Sequence, residues 1–281
     1  MFNNFMNLFR NFIRRSPLLT FFVFVFIISW GIIFLLAGPD GFPVTQQQAV
    51  QLGMAILLGP SIAGLLMTGL SSGRSGFRVL VSRLFRWKCS IRWYALALLT
   101  APLSTAVMVG ILSVFSGEFK PVILISDNKT NLVLLAIIAG LMVGTFEELG
   151  WTGFAIPRMN TRYNFFHTGV IVGLFWGAWH FPLFWEADSF SVLIPFMLLI
   201  ARLFSWLPAY RVLMVWVYKN TESLLLVILM HLSLVSTLLI LDPIIKGEYL
   251  LVFILVRGAI FWGISVVITK IYRGRTEKLS G

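Results

Sequence analysis

Eight sparsely charged apolar runs, each close to 20 residues long, limit what this chain can fold into more than any other feature. They fall at roughly 17–37, 49–70, 93–115, 131–154, 166–185, 191–217, 222–241 and 249–270. A helix needs about 20 apolar residues to cross a hydrocarbon core about 30 Å thick. Inside that core only helices and closed barrels satisfy their own backbone groups, and runs of this length are helical rather than strand-like. Composition agrees: 58% of residues are hydrophobic and 12% charged, against about 25% charged in soluble domains. The expected fold is an all-α, polytopic membrane helix bundle of about eight transmembrane helices. The runs consume most of the 281 residues, so the chain reads as one integral-membrane domain, 1–281, with no soluble domain.

The first run follows a basic stretch, Met1–Ser16, which reads as a lead-in on the membrane surface. A signal peptide is the rival reading. The run exceeds an h-region of roughly 7–15 residues and lacks a small-residue cleavage site, so it reads as an uncleaved span. The sixth run contains Arg202, Pro208 and Arg211 and is either one kinked helix or two shorter pieces. The net charge of +11 raises nucleic acid as a partner, but the basic residues sit between the runs, where they act as topology signals facing anionic lipid. With the amino terminus inside, the outer loops hold only Lys120, Lys129 and Lys246, and the spans hold Arg202, Arg211 and Arg257. All other Lys and Arg fall inside. Both termini are therefore expected to be cytoplasmic. The single cysteine, Cys89, excludes an intramolecular disulfide and reads as an unpaired thiol on the cytoplasmic side.

Two adjacent carboxylates, Glu147 and Glu148, end a run that carries no charge from Leu132 to Val143. An ionisable group at the centre of a span costs roughly 2.5–3.5 kcal/mol on the lenient scale and marks a functional site by default. The chain has three histidines, and two of them, His180 and His231, lie inside apolar runs. His167, beside Phe165 and Phe166, reads as interfacial, and Trp176, Trp179 and Trp185 read as interface and packing residues. On a helix Glu147 shares a face with Trp151 and Glu148 with Thr152; the two carboxylates point about 100° apart and need not do the same job. Gly150 and Gly153 admit a neighbouring backbone or let the helix loosen. Counted at about 1.5 Å per residue, the depths of Glu147, His180 and His231 agree only to about 10–15 Å, so sequence alone does not join them.

Joined, they would carry hydrolytic chemistry. A buried carboxylate is a general base for water, and a histidine shares that proton, stabilises an oxyanion or binds a metal. Two His and one carboxylate also make a zinc site with an open position. Spacing does not choose between these. Ser233 and Ser236 lie near His231 without the context of a serine nucleophile. Intramembrane Glu and His also mark ion paths, but the internal repeat common in transporters is absent.

On these residues the chain resembles the CPBP intramembrane protease family, which includes type II CAAX prenyl endopeptidases and bacterial abortive-infection or bacteriocin-immunity proteins. The family pattern is EExxxR, then an aromatic-xxx-His, then HxxxN, each on its own membrane helix. Glu147-Glu148 matches the first pair, Trp176-xxx-His180 the second motif and His231 the start of the third. Gly59-Pro60 with the basic stretch after it, and Trp216–Thr221, extend the likeness to a core of about 50–240. The family arginine falls on Thr152 and the family asparagine on Val235. Without that arginine, Glu148 is expected to find at most a hydroxyl there; Ser233 or Ser236 would have to stand in for the asparagine. The resemblance implies an intramembrane endopeptidase in a multi-pass protein of the bacterial plasma membrane. Its catalytic residues would be Glu147, Glu148, His180 and His231, and its partners a peptide or protein substrate and the bilayer. Members are described both as metalloproteases and as metal-free, so zinc on Glu148, His180 and His231 stays open. The two departures raise a non-catalytic immunity or partner-binding protein on the same fold as the alternative.

Overall fold

The structure, a computed structural model, describes residues 13, 15–37 and 46–280. Most of the Met1–Ser16 lead-in, and the segment after Ala37, lie outside the described residues. The helices are α1 (Pro17–Ala37), α2 (Gln46–Ile56), α3 (Leu58–Leu84), α4 (Ile91–Phe115), α5 (Val122–Ile125), α6 (Lys129–Gly150), α7 (Ile156–Met159), α8 (Phe165–Trp179), α9 (Phe181–Phe184), α10 (Leu193–Phe204), α11 (Leu207–Thr221), α12 (Leu224–Leu241) and α13 (Gly247–Ser280). Among the described residues there is no β-strand, only an isolated bridge between Pro121 and Pro243. Among the described residues seven segments are long and apolar enough to cross a membrane. The chain is thus a polytopic helical membrane protein, as its runs predict.

The run expected at 166–185 does not form one span. Its helix, α8, stops at Trp179, and α9 starts afresh at Phe181 with Pro182 in its first turn. Proline has no N–H to give, and its ring collides with the carbonyl four residues back. The 191–217 run is two pieces, α10 and α11, broken at Ser205–Trp206 with Pro208 in the first turn of the second. The basic stretch after the second run is helical as far as Leu84, bent at Gly73, whose φ of 56° is a left-handed value that suits glycine.

The core forms where α6 lies against α12, α8 against α11, and α4 against α12. Apolar area hardly drives helix association in lipid, so small residues and interhelical hydrogen bonds set these pairings. A Cβ at Gly140 would stand 2.6 Å from the Leu232 carbonyl oxygen, and one at Gly144 2.9 Å from that of Ile228. These glycines let α6 and α12 touch backbone to backbone. On α8, Gly169 and Gly173 do the same against α11: a Cβ at Gly173 would sit 2.4 Å from Pro208 Cα and 3.2 Å from Arg211 Cβ. Ser233 Oγ donates to the Leu98 carbonyl (2.7 Å) and Ser236 Oγ to that of Ala136 (3.0 Å), tying α12 to α4 and α6. Both hydroxyls hold helices together.

Candidate active site

Three helices that carry site residues begin at a side-chain cap. Asn128 Oδ1 accepts from the N–H of Asn131 (2.9 Å) at the start of α6, Asn164 Oδ1 from His167 (3.0 Å) at α8, and Ser223 Oγ from Leu226 (3.1 Å) at α12. Each cap satisfies an orphan donor and fixes the register from the first turn. At its other end α6 passes into a π-helical turn, Trp151–Ala155. Such turns insert a residue and are frequent at functional sites. Gly150 allows the entry: a Cβ there would meet the Pro60 carbonyl oxygen at 2.1 Å. Both roles expected of Gly150 and Gly153, close approach and loosening, are present in this turn. The helical stretch continues from Glu147 to Met159, so Glu147 is not at the end of its span. The contacts of Trp176 join Glu147, His180 and His231, which residue counting does not.

Trp176, on α8, is the residue around which the others assemble. Its Nε1–H donates to Glu147 Oε2 at 2.6 Å. Its ring is edge-on to His180 (centroids 5.5 Å apart) and to His231 (5.4 Å), and the Arg211 guanidinium lies over it, 4.0 Å from the centroid. Trp176 was expected to be a packing residue; it is instead a buried donor to a site carboxylate. Trp179 is likewise buried, donating to Ser29 Oγ at 2.8 Å with its ring 4.7 Å from His180. His167 is exposed beside Asn164, away from the cluster.

The two carboxylates differ sharply. Glu148 is saturated: Arg211 NH1 donates to Oε1 at 2.8 Å and to Oε2 at 2.9 Å, His231 Nδ1 donates to Oε1 at 2.8 Å, and Thr152 Oγ1 donates to Oε2. The Glu148 and Arg211 side chains are both 0% exposed. Glu147, 2% exposed, takes only the Trp176 bond, and its Oε1 has no protein partner among the described residues. An unpaired buried carboxylate costs several kcal/mol, so Arg211 is what makes the burial of Glu148 tolerable. The hydroxyl expected one turn from Glu148 is there, and it is not the only donor. Thr152 supplies the hydroxyl, and a guanidinium arrives from α11. Arg211 itself is an ionisable residue inside an apolar run, the same signal that singled out Glu147, but nothing in the spacing tied it to Glu148.

Hydrogen bonding fixes both histidine tautomers. His180 Nδ1 is 2.7 Å from the Trp176 carbonyl, which can only accept, so Nδ1 carries the proton and the neutral ring keeps a lone pair on Nε2. His231 Nδ1 faces a carboxylate, so it too is the donor. Among the described residues neither ring has a partner at Nε2, and Arg211 Nε and NH2 are buried and likewise unpartnered.

The set Glu148, His180 and His231 does not fit a metal. Among the described residues no group of three His, Cys, Asp or Glu side chains is placed to hold one. Both Glu148 oxygens are occupied by protein donors, and the guanidinium on them would repel a cation.

Residues 129–237, which include all of these groups, match the family model described as Rce1-like type II CAAX prenyl endopeptidase. A curated protein, CAAX prenyl protease 2 of Methanococcus maripaludis, is 32% identical over 120 residues. That match covers 42% of this chain and 41% of the relative, less than half the length of either.

Proposed function

We propose, from the match of residues 129–237 to the model of Rce1-like type II CAAX prenyl endopeptidases, that this chain is an intramembrane endopeptidase that hydrolyses a peptide bond of a membrane-associated protein with a water activated by glutamate and histidine. The observation that carries the assignment of roles is the asymmetry of the carboxylates. Glu147 keeps a free oxygen beside Trp176, whose ring also meets His180, whereas Glu148 has none to spare. We assign Glu147 as the base.

In this reading a water bound at Glu147 Oε1 gives its proton to the Glu147–His180 pair as its oxygen attacks the scissile carbonyl carbon. The carbonyl π-electrons move to oxygen. Arg211, whose Nε–H and NH2 group are unpartnered, donates to that oxyanion, with His231 held beside it by its Nδ1–H bond to Glu148. Collapse of the tetrahedral intermediate breaks the C–N bond, and the proton held by Glu147 and His180 passes to the leaving amine. Glu148 holds His231 in place and does not touch substrate. The unpartnered N–H groups of Arg211 are the donors available where the family asparagine is missing. The plasma membrane of a bacterial cell is the location we assign, with a peptide segment at the bilayer as substrate.

The test is cleavage of a library of membrane-associated peptides, including prenylated C-terminal ones, by the reconstituted protein, Glu147→Gln and His180→Ala. We expect wild type to cleave, both variants to lose cleavage while remaining folded, and a zinc chelator to have no effect. Cleavage by Glu147→Gln at the wild-type rate would refute the role of Glu147. Absence of cleavage by folded wild type would favour the non-catalytic partner-binding alternative.

A further inference from the structure

A second polar site lies away from the carboxylates, at the end of the bundle where the basic residues gather. Arg83, near the end of α3, and Arg158, on α7, line a cavity of about 410 Å³ together with the hydroxyls of Thr68, Ser72, Ser75 and Thr161. Arg158 lies over the Phe154 ring, 3.8 Å from its centroid, and donates to the Phe154 carbonyl (3.1 Å), Ser71 Oγ (3.0 Å) and Ser72 Oγ (3.1 Å). Every one of these acceptors is neutral. Among the described residues the Arg83 guanidinium meets only the Tyr218 ring, 6.0 Å from its central carbon. Among the described residues neither arginine has an ion-pair partner.

The surroundings add positive charge. The turn after Pro157 also walls two adjoining cavities, one holding Arg15 and Arg162, the other Lys219 and Glu222. Glu222 is already taken by Arg86 at 3.1 Å. Like charges gathered beside a low-dielectric bundle repel one another, so this end of the molecule calls for an anion, and the hydroxyls are placed to bond its oxygens. The cavity reaches the ends of the spans Gln51–Leu84 and Lys129–Met159, where headgroups meet a helix of this length. Val79 in its wall is exposed, as are Phe77 and Val81 on the same helix, which offers an acyl chain an apolar path. Basic pockets between helix ends are known chemistry for anionic headgroups.

We propose that this cavity binds the phosphate of an anionic phospholipid. Arg83 and Arg158 grip the phosphate, the hydroxyls complete its hydrogen bonds, and one acyl chain runs along α3. Gly153, in the π-helical turn next to Thr152, lines the same cavity, so the bound lipid abuts the turn that follows Glu148. The proposal does not depend on catalysis.

The test is native mass spectrometry of the full chain released from detergent, with equal amounts of phosphatidylglycerol and phosphatidylcholine. Wild type is expected to retain phosphatidylglycerol in preference, and Arg83→Gln and Arg158→Gln each to cut that preference about fivefold. Arg83→Gln removes no hydrogen bond in the fold, which keeps the comparison clean, and Arg74→Gln, an exposed change on the same helix, should leave the preference intact. Equal retention of the two lipids by wild type, or an unchanged preference in the Arg83/Arg158 double variant, overturns the proposal. Displacement of the lipid by millimolar inorganic phosphate would make this a site for free anions, and displacement by a peptide carboxylate would make it a peptide site. Either outcome overturns the lipid assignment.

Discussion

Replacing Arg211 with Gln would leave Glu148 buried with two neutral hydrogen-bonding neighbours and no fixed counter-charge. Removing one partner of a buried pair costs about 3–5 kcal/mol, so this variant should unfold at a clearly lower temperature in detergent and lose cleavage. The double change Thr152→Arg with Arg211→Gln returns a guanidinium to the position one turn from Glu148 and should recover part of both. Thermal unfolding and peptide cleavage, measured side by side, check this; a double variant no better than Arg211→Gln would refute the pairing argument. Glu147→Gln should behave differently, losing about 10²–10⁴ in rate, the usual worth of a general base, with unfolding nearly unchanged. Glu147, Glu148, His180 and His231 were legible in the sequence because ionisable groups in apolar runs have few explanations. Arg211 carried the same signal, but its partner lies 63 positions away, and no helical spacing connects the two. The role of Trp176 was illegible for a similar reason: its indole N–H reveals a partner only once α8 lies against α6.

The elements were read correctly where hydropathy alone defines them and misread where a break is local. The end of α8 at Trp179 and the π-helical turn at Trp151–Ala155 leave no trace in an apolar count. The proline in the first turn of α9 holds the first of these breaks. Pro182→Ala should let α8 run on, moving His180 out of its bond to the Trp176 carbonyl; a drop in cleavage with the molecule still folded is the expected result. Helix contacts set by glycine are less forgiving. Gly173→Leu drives a side chain into Pro208 and Arg211, and overpacking of this kind costs typically about 1–3 kcal/mol, read as poor recovery of monodisperse protein. The cap at Ser223 is a milder case. Its hydroxyl serves the Leu226 N–H and also donates to the Arg86 carbonyl at 2.6 Å, so Ser223→Ala should lower stability by about 1 kcal/mol.

For the molecule as a whole, the bundle followed from composition, while the meeting of its spans did not. Counting residues along each run placed Glu147, His180 and His231 at different depths. The structure joins them around Trp176, with Gly140 and Gly144 seating α6 on α12. Orientation in the bilayer can be tested with the chain's single cysteine. Cys89 is partly exposed and unpaired. A membrane-impermeant maleimide should label it in inverted vesicles and not in right-side-out ones; the opposite pattern would reverse the predicted sidedness. The Glu148–Arg211 pair also bears on how such a chain came about. Ancestry from a form with arginine at 152 and none at 211 has a preferred order of events. Loss of the first arginine before gain of the second leaves a naked charge in the interior, whereas gain before loss leaves only a surplus donor for water to solvate. For such a change the accessible order is the one in which the new arginine comes first. What has to be kept throughout is the neutrality of a spot in space, whichever chain position supplies it.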